Sequence, residues 1–209
     1  MRIRKLNITL TTYDRKAEER QARRSLILNG ALSVFKEKGI DGATMEHIAN
    51  KAGFGTASLY YYFPKKEDVF SAIMLKGWQQ LWDSCQETIE SNHSPKEKFL
   101  TILNIIANHI LKERNLYSFL FAAPQHSINF ESKPWKEYQG KLYGTLQHLL
   151  DDGMKAGEFP KINPELLFKA IGGSFHGILL MGSNQESLSR KEIENLFSRL
   201  LSTAEHNNE

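Results

Sequence analysis

The spacing of the apolar residues limits this chain most, and it is helical from one end to the other. Ile27, Leu28, Ala31, Leu32 and Phe35 recur at three- and four-residue steps, the stripe of an amphipathic helix. The pattern returns in Tyr138, Leu142, Leu146, Leu149 and Leu150, then in Phe168, Ile171, Phe175 and Leu179. It returns once more in Ile193, Leu196, Phe197, Leu200 and Leu201. No run alternates apolar and polar residues for long enough to bury one face of a strand. Breakers separate the stripes: Ser94-Pro95, Pro124, Pro134, Gly157, Pro160, Pro164 and Gly182-Ser183-Asn184. Gly39, following Lys36 and Lys38, reads as a helix stop, with cations at the negative end of the dipole. The chain is therefore predicted to be all-α, with about nine helices and short links.

Of the 209 residues, 41% are hydrophobic and 24% charged, which excludes the profile of a disordered chain. Cys85 is the single cysteine, so neither an intramolecular disulfide nor a multi-cysteine zinc site can form. The longest nearly apolar stretch, Ala170 to Met181, contains Gly172, Gly173, Ser174, His176 and Gly177 and falls short of the ~18–20 residues of a membrane span. A thiol-poor chain whose basic opening lacks an apolar core for secretion points to the cytoplasm, with no membrane partner. Charge is divided unevenly. Residues 1–70 carry 13 Lys and Arg against 8 Asp and Glu, a net +5, and the remainder carries 14 against 16, a net −2. A basic module thus precedes a larger, mildly acidic one, and clustered positive charge is the footprint of a polyanion binder. The predicted organisation is a flexible basic tail over 1–15, a DNA-binding domain over 16–70 and a second helical domain over 71–209. Arg2, Arg4 and Lys5 in the tail also suit an arm entering the minor groove.

The most informative stretch is Thr44 to Lys66, TMEHIANKAGFGTASLYYYFPKK. Thr44 is a good N-cap and Glu46 lies in the first turn, where the dipole favours an anion. Ile48, Ala49 and Ala52 form the inner face of a first short helix, and the small Ala49 lets another helix cross closely. Gly53 stands where the chain reverses. A second short helix starts near Gly55–Thr56. Leu59 and Phe63 turn inward with Tyr62 half-buried beside them, which leaves Thr56, Ala57, Ser58, Tyr60 and Tyr61 outside. Two helices with a tight glycine turn make a helix-turn-helix, whose second helix enters the major groove. Thr and Ser hydroxyls read either base edge, Ala57 permits close approach, and tyrosine hydroxyls reach phosphates. Lys66, after Pro64 at the start of the next helix, is expected to clamp a phosphate. Arg20, Arg23, Arg24 and Lys65 are expected to add attraction that is blind to sequence.

The run AGFGTASLYYYFPKKEDVF resembles the N-terminal signature of the tetracycline-repressor (TetR/AcrR) family of one-component regulators. The resemblance covers about residues 20–75: the helix ending at Gly39, Thr44, Ile48-Ala49, Ala52-Gly53, Leu59-Tyr60, Phe63 and Lys66-Glu67-Asp68. Beyond it, only the helical pattern and the length agree. Gly55, Thr56, Ala57 and Tyr62 depart from residues frequent in the family and bear on the operator. The resemblance places Thr44, Tyr60, Tyr61, Tyr62 and Lys66 at backbone-contacting or groove positions, and Thr56 and Ser58 at base-reading ones. It implies a homodimer on a palindromic operator of double-stranded DNA, acting as a repressor and released by a small-molecule effector. An activator and a ligand-independent regulator are the alternatives.

Residues 71–209 hold eight Phe, three Tyr and three Trp. Large aromatics dominate cores, and in a bundle some instead line a cavity. By resemblance the effector site spans about residues 76–182. Trp78, Trp82, Phe99, Leu103, His109, Tyr117, Phe121, Tyr138 and His176 are its candidates, each with core packing as the other reading, for an apolar or aromatic effector. The last two helices, near 163–182 and 190–204, resemble the family's dimer interface. Phe168, Ile171, Phe175, Leu179, Leu196, Phe197 and Leu200 are expected to form its seam, or else an internal core. Helix 4, about residues 65–75, is expected to join the domains. No metalloprotease, P-loop, serine-hydrolase or dinucleotide motif occurs, so no enzyme, catalytic residue, metal or cofactor is predicted.

Overall fold

The stripe beginning at Ile27 becomes the inner face of α1 (Thr12–Gly42) in a computed structural model that describes residues 12–122, 133–177 and 190–201. Ile27 and Ala31 are wholly buried, and Leu28, Leu32 and Phe35 nearly so. The helix is broken at Gly39, whose φ of 70° is left-handed. α2 (Met45–Ala52) starts where Thr44 caps it, the Thr44 Oγ1 accepting from the His47 N–H at 3.2 Å. It ends in a Schellman motif: Gly53, at φ 74°, donates its N–H to the Asn50 carbonyl, and Phe54 donates to that of Ala49. α3 (Thr56–Tyr62) and the first residues of α4 (Lys66–Glu90) complete this part. The close crossing of α1 and α2 uses more than the buried Ala49. A Cβ on Gly30 would stand 2.8 Å from the Ala52 Cβ, so Gly30 sets how near the two helices come.

α4 runs on to Glu90, well past the expected end near residue 75. Gly77 is its one internal breaker, and a lone glycine costs a helix only ~1 kcal/mol against alanine. It also has a packing role, since an added Cβ would meet the Leu120 side chain at 3.0 Å. The predicted break at Ser94-Pro95 is a capping box. Ser94 accepts from the Glu97 N–H, the Glu97 carboxylate accepts from the Ser94 N–H, and Pro95 opens α5 (Pro95–Lys112). α6 (Arg114–Ala122), α7 (Trp135–Lys155), α8 (Pro164–His176) and α9 (Arg190–Leu200) follow. α5 packs against α6, α7 and α9, and α7 against α8. Trp78, Phe99, Tyr117, Trp135, Leu150 and Phe159 form the heart of this core.

The described residues thus hold nine helices and no strand. The chain divides into two compact units, Met1–Ala72 and Ile73–Glu209. Among the described residues no helix is long and apolar enough to cross a membrane. Leu59 is the one wholly buried side chain of α3 and fills space between helices. Leu59→Ala is expected to lower the unfolding free energy by about 2–5 kcal/mol. Exposed Ser58→Ala is expected to stay within ~0.5 kcal/mol, both read by urea denaturation followed by circular dichroism.

Candidate nucleic-acid interface and internal cavity

Seven residues are too few for a helix that stands alone, so α3 is held by its packing. Leu59 and Phe63 are buried, and Gly55 enters the helix in extended conformation. The remaining residues point outward as predicted: Thr56, Ala57 and Ser58 are exposed, Tyr60 is 50% exposed and Tyr61 72%. Tyr62 is half-buried, edge-on to Tyr61 with ring centroids 5.4 Å apart. Thr44 is exposed one helix earlier. Its oxygen is used as a cap, which leaves the hydroxyl proton to donate elsewhere.

Three arginines of α1 gather at the end of α3. The Arg24 guanidinium lies 4.4 Å from the Phe63 ring centroid and Arg20 5.8 Å from that of Tyr61. Burial, then the charge of Arg20, lowers the pKa of Arg24. Arg23 pairs with Glu19 at 2.6 Å, an exposed contact of little energetic weight. The cations expected to attract a polyanion therefore stand beside the aromatic end of α3.

Lys66 departs from expectation. Its ammonium donates to the carbonyls of Ile40 at 2.9 Å, Asp41 at 3.2 Å and Ala43 at 3.1 Å. An ammonium has three N–H groups, and all three are engaged. Lys66 braces the link between α1 and α2 rather than presenting its charge to a phosphate. The exposed neighbour Lys65 is the lysine free to take that role. Replacing Lys66 by Met strands carbonyls that are partly buried. Lys66→Met is expected to cost about 1–3 kcal/mol in thermal denaturation, whereas a merely surface lysine would leave the midpoint unchanged.

The second unit encloses a cavity of ≈ 320 Å³. Five of the nine candidate residues, Trp78, Phe99, Leu103, Phe121 and His176, line it. The other four candidates are not among its lining residues. Tyr117 is wholly buried, and its hydroxyl pairs with His109 Nδ1 at 3.2 Å, so the two polar tips satisfy one another. Burial raises the pKa of Tyr117 and lowers that of His109. Trp82 and Tyr138 share the Lys141 ammonium, 5.9 and 5.4 Å from their ring centroids, on the outside of the bundle.

The spacing of the stripes carried a signal for several lining residues that prediction missed. Ile106 and Ile110 continue the α5 stripe of Phe99 and Leu103. Leu142 and Leu146 belong to the stripe of α7, and Tyr143 adjoins it. Lys169, Gly172 and Gly173 of α8 carried none.

The expected dimer seam also changes. Phe168 and Ile171 line the cavity, and Phe197 is buried, because that side of α8 and α9 is turned into the unit's own core. Leu196, 39% exposed, and Leu200, 51%, face outward, as does Leu166, 64% exposed. The side chain of Phe175 and the whole of Leu179 lie outside the described residues, as do Arg2, Arg4 and Lys5. Among the described residues no group of three His, Cys, Asp or Glu side chains is placed to hold a metal ion.

A family model described as bacterial regulatory proteins of the tetR family matches residues 27–73. The chain is 25% identical, over 158 residues, to IcaR of Staphylococcus aureus (strain Newman), the HTH-type negative transcriptional regulator of the biofilm operon icaADBC. That alignment covers 74% of this chain and 77% of IcaR. The fold is similar to FadR from Bacillus subtilis, solved in complex with stearoyl-CoA. The TM-score is 0.67, the identity 21%, and the match covers 87% of this chain and 99% of FadR. It is similar also to the ketosteroid transcriptional regulator KstR2 of Mycobacterium tuberculosis, with a TM-score of 0.70 and 18% identity over 85% of this chain and 92% of KstR2. The helix-turn-helix lies inside the segment that matches the tetR family of bacterial regulatory proteins and the fold is shared along the chain, which together support a TetR-family transcriptional regulator.

Proposed function

We propose that the protein is a homodimeric repressor that holds a palindromic operator through α3 and releases it when a small apolar effector fills the cavity of the second unit. The exposed face of α3 is the observation that carries this reading. Thr56 and Ser58 read base edges, and Ala57 lets the helix approach the groove floor. Tyr60, Tyr61, Tyr62 and Thr44 contact the backbone, and Lys65 with Arg20, Arg23 and Arg24 supplies charge. IcaR, a negative regulator by name, supports repression. The stearoyl chain of the stearoyl-CoA in FadR's complex and the ketosteroid in KstR2's name support an effector with a large apolar part, as does the lining of the cavity.

Two copies would pair isologously through Leu166 of α8 with Leu196 and Leu200 of α9, apolar side chains that one copy leaves in water. Pairing sets two α3 helices on half-sites about 34–36 Å apart. An effector that prefers the arrangement unable to span that distance draws the population toward it. Moving the balance from 1:99 to 99:1 takes a differential affinity of about 5.5 kcal/mol.

Selection of duplexes from a random pool tests the reading. Enrichment of a two-fold symmetric site with half-sites about one helical turn apart is expected. Failure to enrich any site, or an asymmetric single site, contradicts it. On the selected duplex, Lys65→Ala is expected to lower the salt slope of binding by about one unit for all sequences. Thr56→Ala and Ser58→Ala are expected instead to cost about 1–3 kcal/mol at particular base pairs and relax preference there, as anisotropy titrations on a set of mutated sites would show.

A further inference from the structure

The shape and lining of the cavity define its ligand more narrowly than apolar character does. One wall is a single stripe on α5, from Phe99 through Leu103 and Ile106 to Ile110. At ~1.5 Å per residue this stripe is about 16 Å long. The volume of ≈ 320 Å³ stands at the lower end for small-ligand pockets and suits a slender molecule rather than a bulky one. The facing wall is an aromatic ladder. Trp78 meets Phe121 and Tyr143 edge-on at 5.5 Å each, and Tyr143 meets Phe168 at 5.6 Å.

Polar chemistry is confined to few places. Lys169, Gly172, Gly173 and His176 form one strip of α8, and Lys169 and both glycines are exposed, so solvent reaches the cavity there. The described lining residues carry one ammonium, one imidazole, one phenol and the partnerless indole N–H of Trp78, with no carboxylate. Lys169 donates one N–H to Glu165 at 2.6 Å. Both partners are about two-thirds exposed, so the pair exchanges readily, and two further N–H groups remain. The Tyr143 hydroxyl has its pKa raised by burial and stays a neutral donor.

We infer that the effector is a linear carboxylate of about ten to twelve heavy atoms, whose head is received by Lys169 and His176 on α8 and whose chain lies along α5. A cationic head would meet the ammonium of Lys169, and a neutral head would leave it unused. This deepens the effector role proposed above and rests on it.

Calorimetric titration of the full chain with decanoate, decan-1-ol and decylammonium tests the inference, since the three share a chain and differ in head charge. Decanoate is expected to bind at least about ten-fold more tightly than decanol, and decylammonium most weakly. Lys169→Met is expected to bring the decanoate-to-decanol ratio within about two-fold. Lys155→Met, on α7 in an exposed pair with Asp152, is expected to keep the ratio of the parent. Equal affinity for decanoate and decanol, no binding of any probe, or a ratio indifferent to Lys169→Met overturns the inference. Adding each probe to the complex with the selected duplex separates the two readings. Release by decanol as well as by decanoate sinks the carboxylate assignment and leaves ligand-driven release standing. Tight decanoate binding without release does the reverse.

Discussion

The burial of Leu59 and Phe63 decides what the first unit presents to its surroundings. A helix of seven residues has little stability of its own, and no side chain caps its start. Its orientation therefore comes from these anchors and from Arg24 stacked on the Phe63 ring. Once they are fixed, the helical period leaves Thr56, Ala57, Ser58, Tyr60 and Tyr61 no choice of face. The same unit spends Lys66 on three carbonyls at the link before α2, which steadies the turn that Thr44 caps. Rigid support beneath a small polar surface is what sequence readout in a groove requires.

In the second unit α8 divides its faces. Phe168 and Ile171 line the cavity, while Leu166 on the other side is left in water. α9 does likewise, with Phe197 inside and Leu196 and Leu200 outside. A molecule in the cavity therefore touches the very helix whose outer face is the proposed seam between copies. Ligand occupancy and pairing act on one rigid element, a short path between the two events.

Local signals were legible in the sequence, and distant ones were not. Thr44, Gly39, Gly53 and the Ser94-Pro95 break act on neighbours a few residues away, and each stands where the sequence placed it. The outer face of α3 followed from period and polarity alone. The task of Lys66 depends on carbonyls 23 to 26 residues away, which no local pattern encodes. Helix 4 was expected over about residues 65–75, yet it runs on through Gly77, which serves contact with Leu120 from another helix. For His109 and Tyr117 the choice between ligand contact and core packing stayed open in the sequence, because nothing local shows that they hold one another. The split of α8 and α9 into inward and outward residues was out of reach for a similar reason. Both sides are apolar, so the stripe is too broad to name its buried half.

Amide hydrogen exchange read by mass spectrometry, with and without a selected duplex, tests the central claim most directly. Duplex binding is predicted to slow exchange over residues 54–66 and around Thr44. Slowing elsewhere in the chain, with residues 54–66 exchanging as before, would contradict the account.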